Sequence, residues 1–331
     1  MNEPMTHWQR IEAAIEGGAV DRPPIALWRH WPGEDDTAEG LAAATVAWQK
    51  AHDFDLVKFM PTGTYGVEDW GAQTTYAHNP SGTRTVTAPG LTAADEWPRL
   101  KPLDVSKGSL GRQNEALGLA AEALADSVPI LQTVFSPLTT ARKLAGDRVF
   151  THLRRHPGAL KEGLEIIAET TARFSAAALD AGAHGVFFAS QCSSYQLLSE
   201  AEYREFGEPF DRIVLDAVQS VSRLNMAHAH GEDVMFDILA AYPVQMMNWH
   251  DRLTWPSLAE ARERFAGLLV GGIDDRRTLL HGSGDAIRAE IEDAISQGAG
   301  RLMVGPQCVM SIETPDDKVR IAVDAVTGGA D

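Results

Sequence analysis

Residues 224–231 read Leu224-Asn225-Met226-Ala227-His228-Ala229-His230-Gly231, an apolar run ending in two histidines one residue apart. Side chains of a strand alternate faces, so a strand here presents both imidazoles on one side of its sheet. Hydrogen-bonded histidines lining a pocket are the plainer alternative. Two other apolar runs end in residues of the same chemistry. Residues 301–308 finish on Cys308, and residues 244–249 lead into His250-Asp251. Two histidines, a cysteine and a carboxylate at strand ends point to a metal, and zinc accepts all three donor types while keeping a position open for chemistry. The expected ligands are His228, His230, Asp251 and Cys308.

Working outward, the same reading finds strands at 25–28, 56–60, 129–134, 183–189, 244–249, 268–273 and 301–308, mostly with a helix between. With 224–230 that makes eight, the pattern of an α/β fold of the (β/α)8 TIM-barrel type, in which active sites lie at the C-terminal strand ends. Strands five and eight would face each other across such a barrel's mouth, bringing His228 and Cys308 together. Thr6 is placed to cap a helix over 7–16 that stops at Gly17-Gly18, and Ser199 with Glu202 forms a capping box for a later one. The alternation pauses at 61–127, where Thr74-Thr75-Tyr76 and Thr83-Arg84-Thr85-Val86 flank Asn79-Pro80-Ser81-Gly82 as in a hairpin. The expectation is one domain over 1–331, with 61–127 inserted over the mouth.

The 331 residues carry 29 basic and 46 acidic side chains, a formal charge of −17, which argues against nucleic acid or an anionic membrane surface as the main partner. No run of eighteen apolar residues and no basic-then-apolar N-terminus occurs, and two cysteines make no disulfide framework. A cytoplasmic protein acting on a small molecule is expected.

Several stretches together resemble the uroporphyrinogen decarboxylase superfamily. They are Arg10-Ile11-Glu12-Ala13-Ala14-Ile15 followed by Asp21-Arg22-Pro23-Pro24, Phe188-Ala189-Ser190 ahead of Leu198-Ser199 and Tyr203-Arg204-Glu205-Phe206, and the Gly305-Pro306 element near Cys308. The true decarboxylases carry a second arginine after the first strand, an Asp after the second and a His near the eighth. Here only Arg29 matches, followed by His30-Trp31-Pro32, and the other positions read Phe59-Met60-Pro61 and Gly305-Pro306-Gln307.

The chain is closer to the zinc-dependent cobalamin methyltransferase branch, which resembles His-x-Cys after strand five, Cys after strand eight and an acid after strand six. His228, Cys308 and Asp251 match, while His230 stands where that branch has cysteine. The resemblance implies zinc, a corrinoid or tetrahydrofolate methyl carrier, possible partnership with a corrinoid protein, and a homodimer.

Other candidates surround this set. Arg29 and His30 suit an anion anchor and proton transfer, or surface pairing with Glu34 to Asp36. Ser190 and Gln191 follow the fourth strand, and Trp28, Tyr65 and Trp70 form either a substrate wall or ordinary barrel packing. Cys192 is a candidate nucleophile or ligand, or a small packed hydrophobe. The expected function is a metal-dependent methyltransferase or demethylase on a small methylated substrate. The alternatives are a decarboxylase or lyase with Arg29 as anchor, and a non-catalytic binding protein.

Overall fold

The first helix, His7–Glu16, begins where Thr6 accepts the Gln9 N–H and Gln9 returns a bond to the Thr6 N–H, and it ends at Gly17 with φ of 71°. In the computed structural model, which describes residues 4–328, this helix leads into an α/β fold built on a curled parallel sheet.

The strands are β1 (Val57–Phe59), β2 (Gln73–Tyr76), β3 (Arg84–Ala88), β4 (Ile130–Phe135), β5 (Gly185–Ser190), β6 (Met226–Ala229), β7 (Met246–Trp249), β8 (Leu268–Ile273) and β9 (Leu302–Pro306). Seven of them pair in parallel in the order β1-β4-β5-β6-β7-β8-β9, while β2 and β3 form a separate antiparallel hairpin. Helices join successive sheet strands, among them Gly108–Leu124, Pro157–Asp180, Glu208–Val218 and Gly284–Gly298. No helix among the described residues is long and apolar enough to cross a membrane.

The first expected strand, 25–28, is reduced to a single parallel bridge between Ile25 and Val304 of β9. Its other side reaches the chain just before β1, where Asp55 N–H donates to Ile25 O at 2.9 Å. Continuation of the ladder is blocked because the Leu27 carbonyl is taken by Trp48 Nε1 at 3.1 Å. The bridge therefore links the two edges of the curled sheet, which resembles a TIM barrel.

Parity along the strands sorts side chains into two layers. Ala26, Trp28, Leu56, Met60, Leu131, Phe187, Ala189, Met226, Met246, Leu268, Val270 and Met303 pack together inside the curl. The alternate residues, such as Phe188, Ala227, Met247, Trp249, Leu269 and Val304, face the helices. Burying each large apolar side chain contributes roughly 2 kcal/mol, so both layers favour the same register strongly.

The N-terminal strand ends are tied by charge. Arg10 holds Asp21 at 2.7 Å, and both Arg10 and Arg22 hold the buried Asp55, which also accepts the Ile25 N–H at 2.8 Å. The Arg10 and Asp21-Arg22 elements of the sequence thus serve closure at the end of the sheet away from the histidines.

Candidate metal centre and adjoining cavity

Inward parity decides which polar residues meet at the C-terminal strand ends. On β6, Met226 and His228 share the inner face, and His230 continues it one step beyond the strand. On β7, Met246 and Asn248 point inward, and the same count brings His250 to the inside and turns Asp251 outward. Cys308 arrives from the loop after β9. The donor atoms of His228, His230, His250 and Cys308 all lie within 4.8 Å of one another.

Three of the expected ligands, His228, His230 and Cys308, are therefore brought together, and the fourth, Asp251, is not. Its buried carboxylate accepts the Gly272 N–H at 3.1 Å, and burial pushes its pKa up to about 7. A Cβ on Gly271 would come within 2.5 Å of Asp251 Oδ1, so glycine is what admits the carboxylate there. His250 occupies the place the sequence reading assigned to Asp251. The signal was present, since 246, 248 and 250 have the parity used to pair 228 with 230.

Hydrogen bonds and burial fix the donor atoms of the cluster. Asn248 donates its amide hydrogens to Val270 O and Pro306 O, at 2.8 and 3.1 Å, which leaves its oxygen to accept from His228 Nδ1 at 2.6 Å. That bond fixes the proton on Nδ1 and leaves Nε2 with a free lone pair. Burial, then the neighbouring His230 and His250, holds His228 well below the ordinary histidine value. Burial and the Lys143 charge push His230 down to about 4, and its Nδ1 stands 3.4 Å from Cys308 Sγ. His250 Nε2 is buried with no hydrogen-bond partner. Three imidazoles, one with an orphaned buried nitrogen, beside a cysteine sulfur make a donor set that fits zinc.

The cluster opens into a cavity of about 280 Å³. His30, Gln191, His228, His230 and Cys308 line it, as do Lys58, Lys143, Phe135 and Phe187. His30 is buried, which pushes its pKa down to about 3. Lys58 on β1 has the inward parity of the flanking Leu56 and Met60; the sequence reading placed a strand over 56–60 but did not name the lysine among the site residues. Asp275 accepts the Cys308 N–H at 3.2 Å and is pushed up to about 6 by burial.

The remaining expected residues point elsewhere. Arg29 is outward by parity, and its guanidinium lies over Trp31 and Trp48 at 4.9 and 5.8 Å. Ser190 is outward as well, bonded at 2.9 Å to Tyr203, whose hydroxyl donates to the buried Asp211. Trp28 packs inside the sheet against Phe187, 5.7 Å between rings. Tyr65 donates to Thr133 O at 2.7 Å and, with Trp70, borders a separate small cavity. Cys192 is buried, its thiol pushed up to about 12, with its Sγ near Leu138 O.

Comparison with known proteins gives this geometry its context. The methylcobamide:CoM methyltransferase of Methanosarcina barkeri is 24% identical over 338 residues, covering 96% of each chain. That of Methanosarcina mazei is 19% identical over 330 residues, again with 96% of each chain covered. A solved structure described as a methyltransferase from Methanosarcina mazei superposes with a TM-score of 0.85 at 22% identity, covering 97% of this chain and 98% of that one, a likeness of fold. The sequence also matches the family described as uroporphyrinogen decarboxylase (URO-D) over residues 6–328, from the helix that starts the N-terminal ion-pair network to the last described residue. With the match running through every strand that carries the cluster, this chain belongs to the uroporphyrinogen decarboxylase (URO-D) family.

Proposed function

We propose that this protein is a metal-dependent methyltransferase whose metal, zinc by its donor set, is held by His228, His230, His250 and Cys308. The observation that carries this reading is the convergence of those four donor atoms within 4.8 Å, with His228, His230 and Cys308 lining a cavity. The full-length relatives named as methyltransferases support the reaction class. On this reading the fold is a single (β/α)8 barrel over 1–331, with residues 61–127 decorating its mouth. Ser81, Thr83 and Arg84 of the β2–β3 region line the cavity, which supports that arrangement.

When bound, zinc supplies Lewis acidity that keeps a thiol in its thiolate form near neutral pH. The chain's own residues do the rest. Asn248 orients His228, burial holds His228 and His230 below the ordinary histidine value so that their lone pairs are free to donate, and Phe135 and Phe187 exclude water from the cavity wall. Replacing the family branch's second thiolate by His230 leaves a site with one anionic ligand and three neutral ones, a more electrophilic metal centre. A corrinoid is the carrier the relatives' names favour over tetrahydrofolate.

The lyase reading has less support, since the Arg29 guanidinium lies over Trp31 and Trp48 and is not among the residues lining the cavity. The test is metal analysis of the purified protein together with methyl transfer from methylcobalamin to a small thiol, followed by the visible spectrum of the corrinoid. About one equivalent of zinc with thiol-dependent demethylation is expected. Full activity after metal stripping overturns the proposal.

A further inference from the structure

We propose that Phe135 is the specificity-determining end wall of the substrate cavity: its ring divides that cavity from an apolar side pocket and sets how far the non-reacting end of a substrate can extend. The proposal rests on reading the His/Cys cluster as the reacting centre of the same cavity.

Phe135 is the last residue of β4, and among the described residues it alone lines both spaces. Its ring neighbours one residue of each. Lys143, which lines the cavity, holds its amine 4.4 Å from the ring centre, and Tyr65, which lines the side pocket, has its own ring 5.9 Å away at a tilt of 36°. The same side chain packs against the layer inside the curl and against the layer under the helices. Strand parity explains the place. Residues 131, 133 and 135 share the inner face, but 135 stands at the rim, where the sheet ends and Ser136 caps the helix Pro137–Ala145. A ring there is half-buried and forms a partition between two spaces.

The side pocket is apolar because its polar side chains are committed elsewhere. The Tyr65 hydroxyl donates to Thr133 O at 2.7 Å, Trp70 Nε1 to Lys101 O at 3.0 Å and Thr171 Oγ1 to Ile167 O at 2.7 Å, while Thr170 Oγ1 accepts the Leu103 N–H at 3.2 Å. What they leave to the space, together with Leu110 and Phe174, is mostly ring and alkyl surface. A charged or hydrogen-bonding group entering here would go unpaired, so the pocket suits an uncharged aryl or alkyl group.

Volume decides what the ring does. The side pocket offers about 20 Å³, little above the roughly 10–15 Å³ that a single water needs. No substrate group enters it while Phe135 stands in place. Without that ring the pocket joins a cavity of about 280 Å³. The far wall has room as well, since a Cβ built on Gly66, in the helical turn Tyr65–Glu68, would meet nothing within 4 Å. Phe135 therefore confines the substrate to the cavity, and a smaller residue admits an aryl tail.

The experiment compares methyl transfer from methylcobalamin to ethanethiol and to 2-phenylethanethiol, with the zinc-loaded full chain. Phe135→Ala should raise the ratio of kcat/KM for the aryl thiol over the alkyl thiol at least about tenfold, as when a pocket admits a group that its wall excluded. Phe135→Leu should raise it less, and Phe135→Trp should lower it. Gly66→Leu fills the side pocket from its far wall, so adding it to Phe135→Ala should cancel the gain. An unchanged ratio in folded Phe135→Ala and Phe135→Leu overturns the proposal, and so does a gain that Gly66→Leu leaves intact, because truncation alone would then explain it. Calorimetric titration of metal-stripped protein with 2-phenylethanol, which carries no thiol, repeats the comparison without metal. Tighter binding by Phe135→Ala that Gly66→Leu cancels, in a protein none of whose forms transfers methyl groups, upholds the partition and sinks the metal reading. Methyl transfer that does not change across the variants sinks the partition alone.

Discussion

His228 Nδ1 donates to Asn248 Oδ1 at 2.6 Å, and Asn248 is itself clamped by the carbonyls of Val270 and Pro306. One amide thus reads three strands and sets the tautomer and ring plane of a histidine at their rim. Asn248→Ala should lower zinc affinity by about 10–100-fold, the usual effect of removing the partner that orients a ligand. Competition with a chromogenic chelator measures it, and an unchanged affinity in folded protein would mean that His228 needs no orienting.

His250 and Asp251 are neighbours in sequence with opposite parity, so their variants should separate cleanly. His250→Ala is expected to reduce bound zinc, whereas Asp251→Asn keeps the zinc and loses stability of about 1–3 kcal/mol through its altered bond to Gly272. Metal content and urea denaturation of the two proteins decide it. Zinc lost in the Asp251 variant and kept in the His250 variant would reverse the ligand assignment.

Arg29→Ala should leave both metal content and substrate affinity unchanged, because the guanidinium lies over Trp31 and Trp48 and does not line the cavity. The expected cost is about 1–2 kcal/mol of stability from lost cation–π and packing contact. A raised KM with unaltered stability would return Arg29 to the substrate.

Asp211 is fully buried and accepts hydrogen bonds from Tyr203 and Tyr242 at 2.6 and 2.8 Å, and burial pushes its pKa up to about 7. Its unfolded value is the ordinary 3.8. Below that value both states hold the proton, while between the two values the unfolded chain releases it and the folded protein does not. Asp211 therefore costs stability as pH rises from about 4 to 7, by a ceiling on the order of 4 kcal/mol. Asp211→Asn should gain on the wild type over that window and run parallel to it above pH 7. Denaturation midpoints at pH 4.5, 6 and 7.5 measure the difference, and parallel curves throughout would contradict it.

Much of this protein was legible from local chemistry. The caps at Thr6 and Ser199, the hairpin around 79–82 and the apolar strand runs depend on residues within one turn or one strand, where hydrogen-bond and steric preferences act over a few bonds. The His-x-His spacing at 228 and 230 also carried its own geometry, because a strand's period of two is set by the backbone.

Tertiary structure decided the rest. Whether 25–28 forms a strand depended on Trp48, a side chain some twenty residues away that takes the Leu27 carbonyl. Parity alone puts His250 on the inner face, but its meeting with His228, His230 and Cys308 at one level depended on the register in which β7 pairs with β6 and β8, fixed by core packing on both faces. The cationic character of the cavity could not be read from a chain of net charge −17, because Lys58 and Lys143 lie 85 residues apart and meet only when β1 and the helix Pro137–Ala145 bring them to the same rim. Composition sums charge over the whole surface, whereas a ligand meets only the side chains that the fold turns inward.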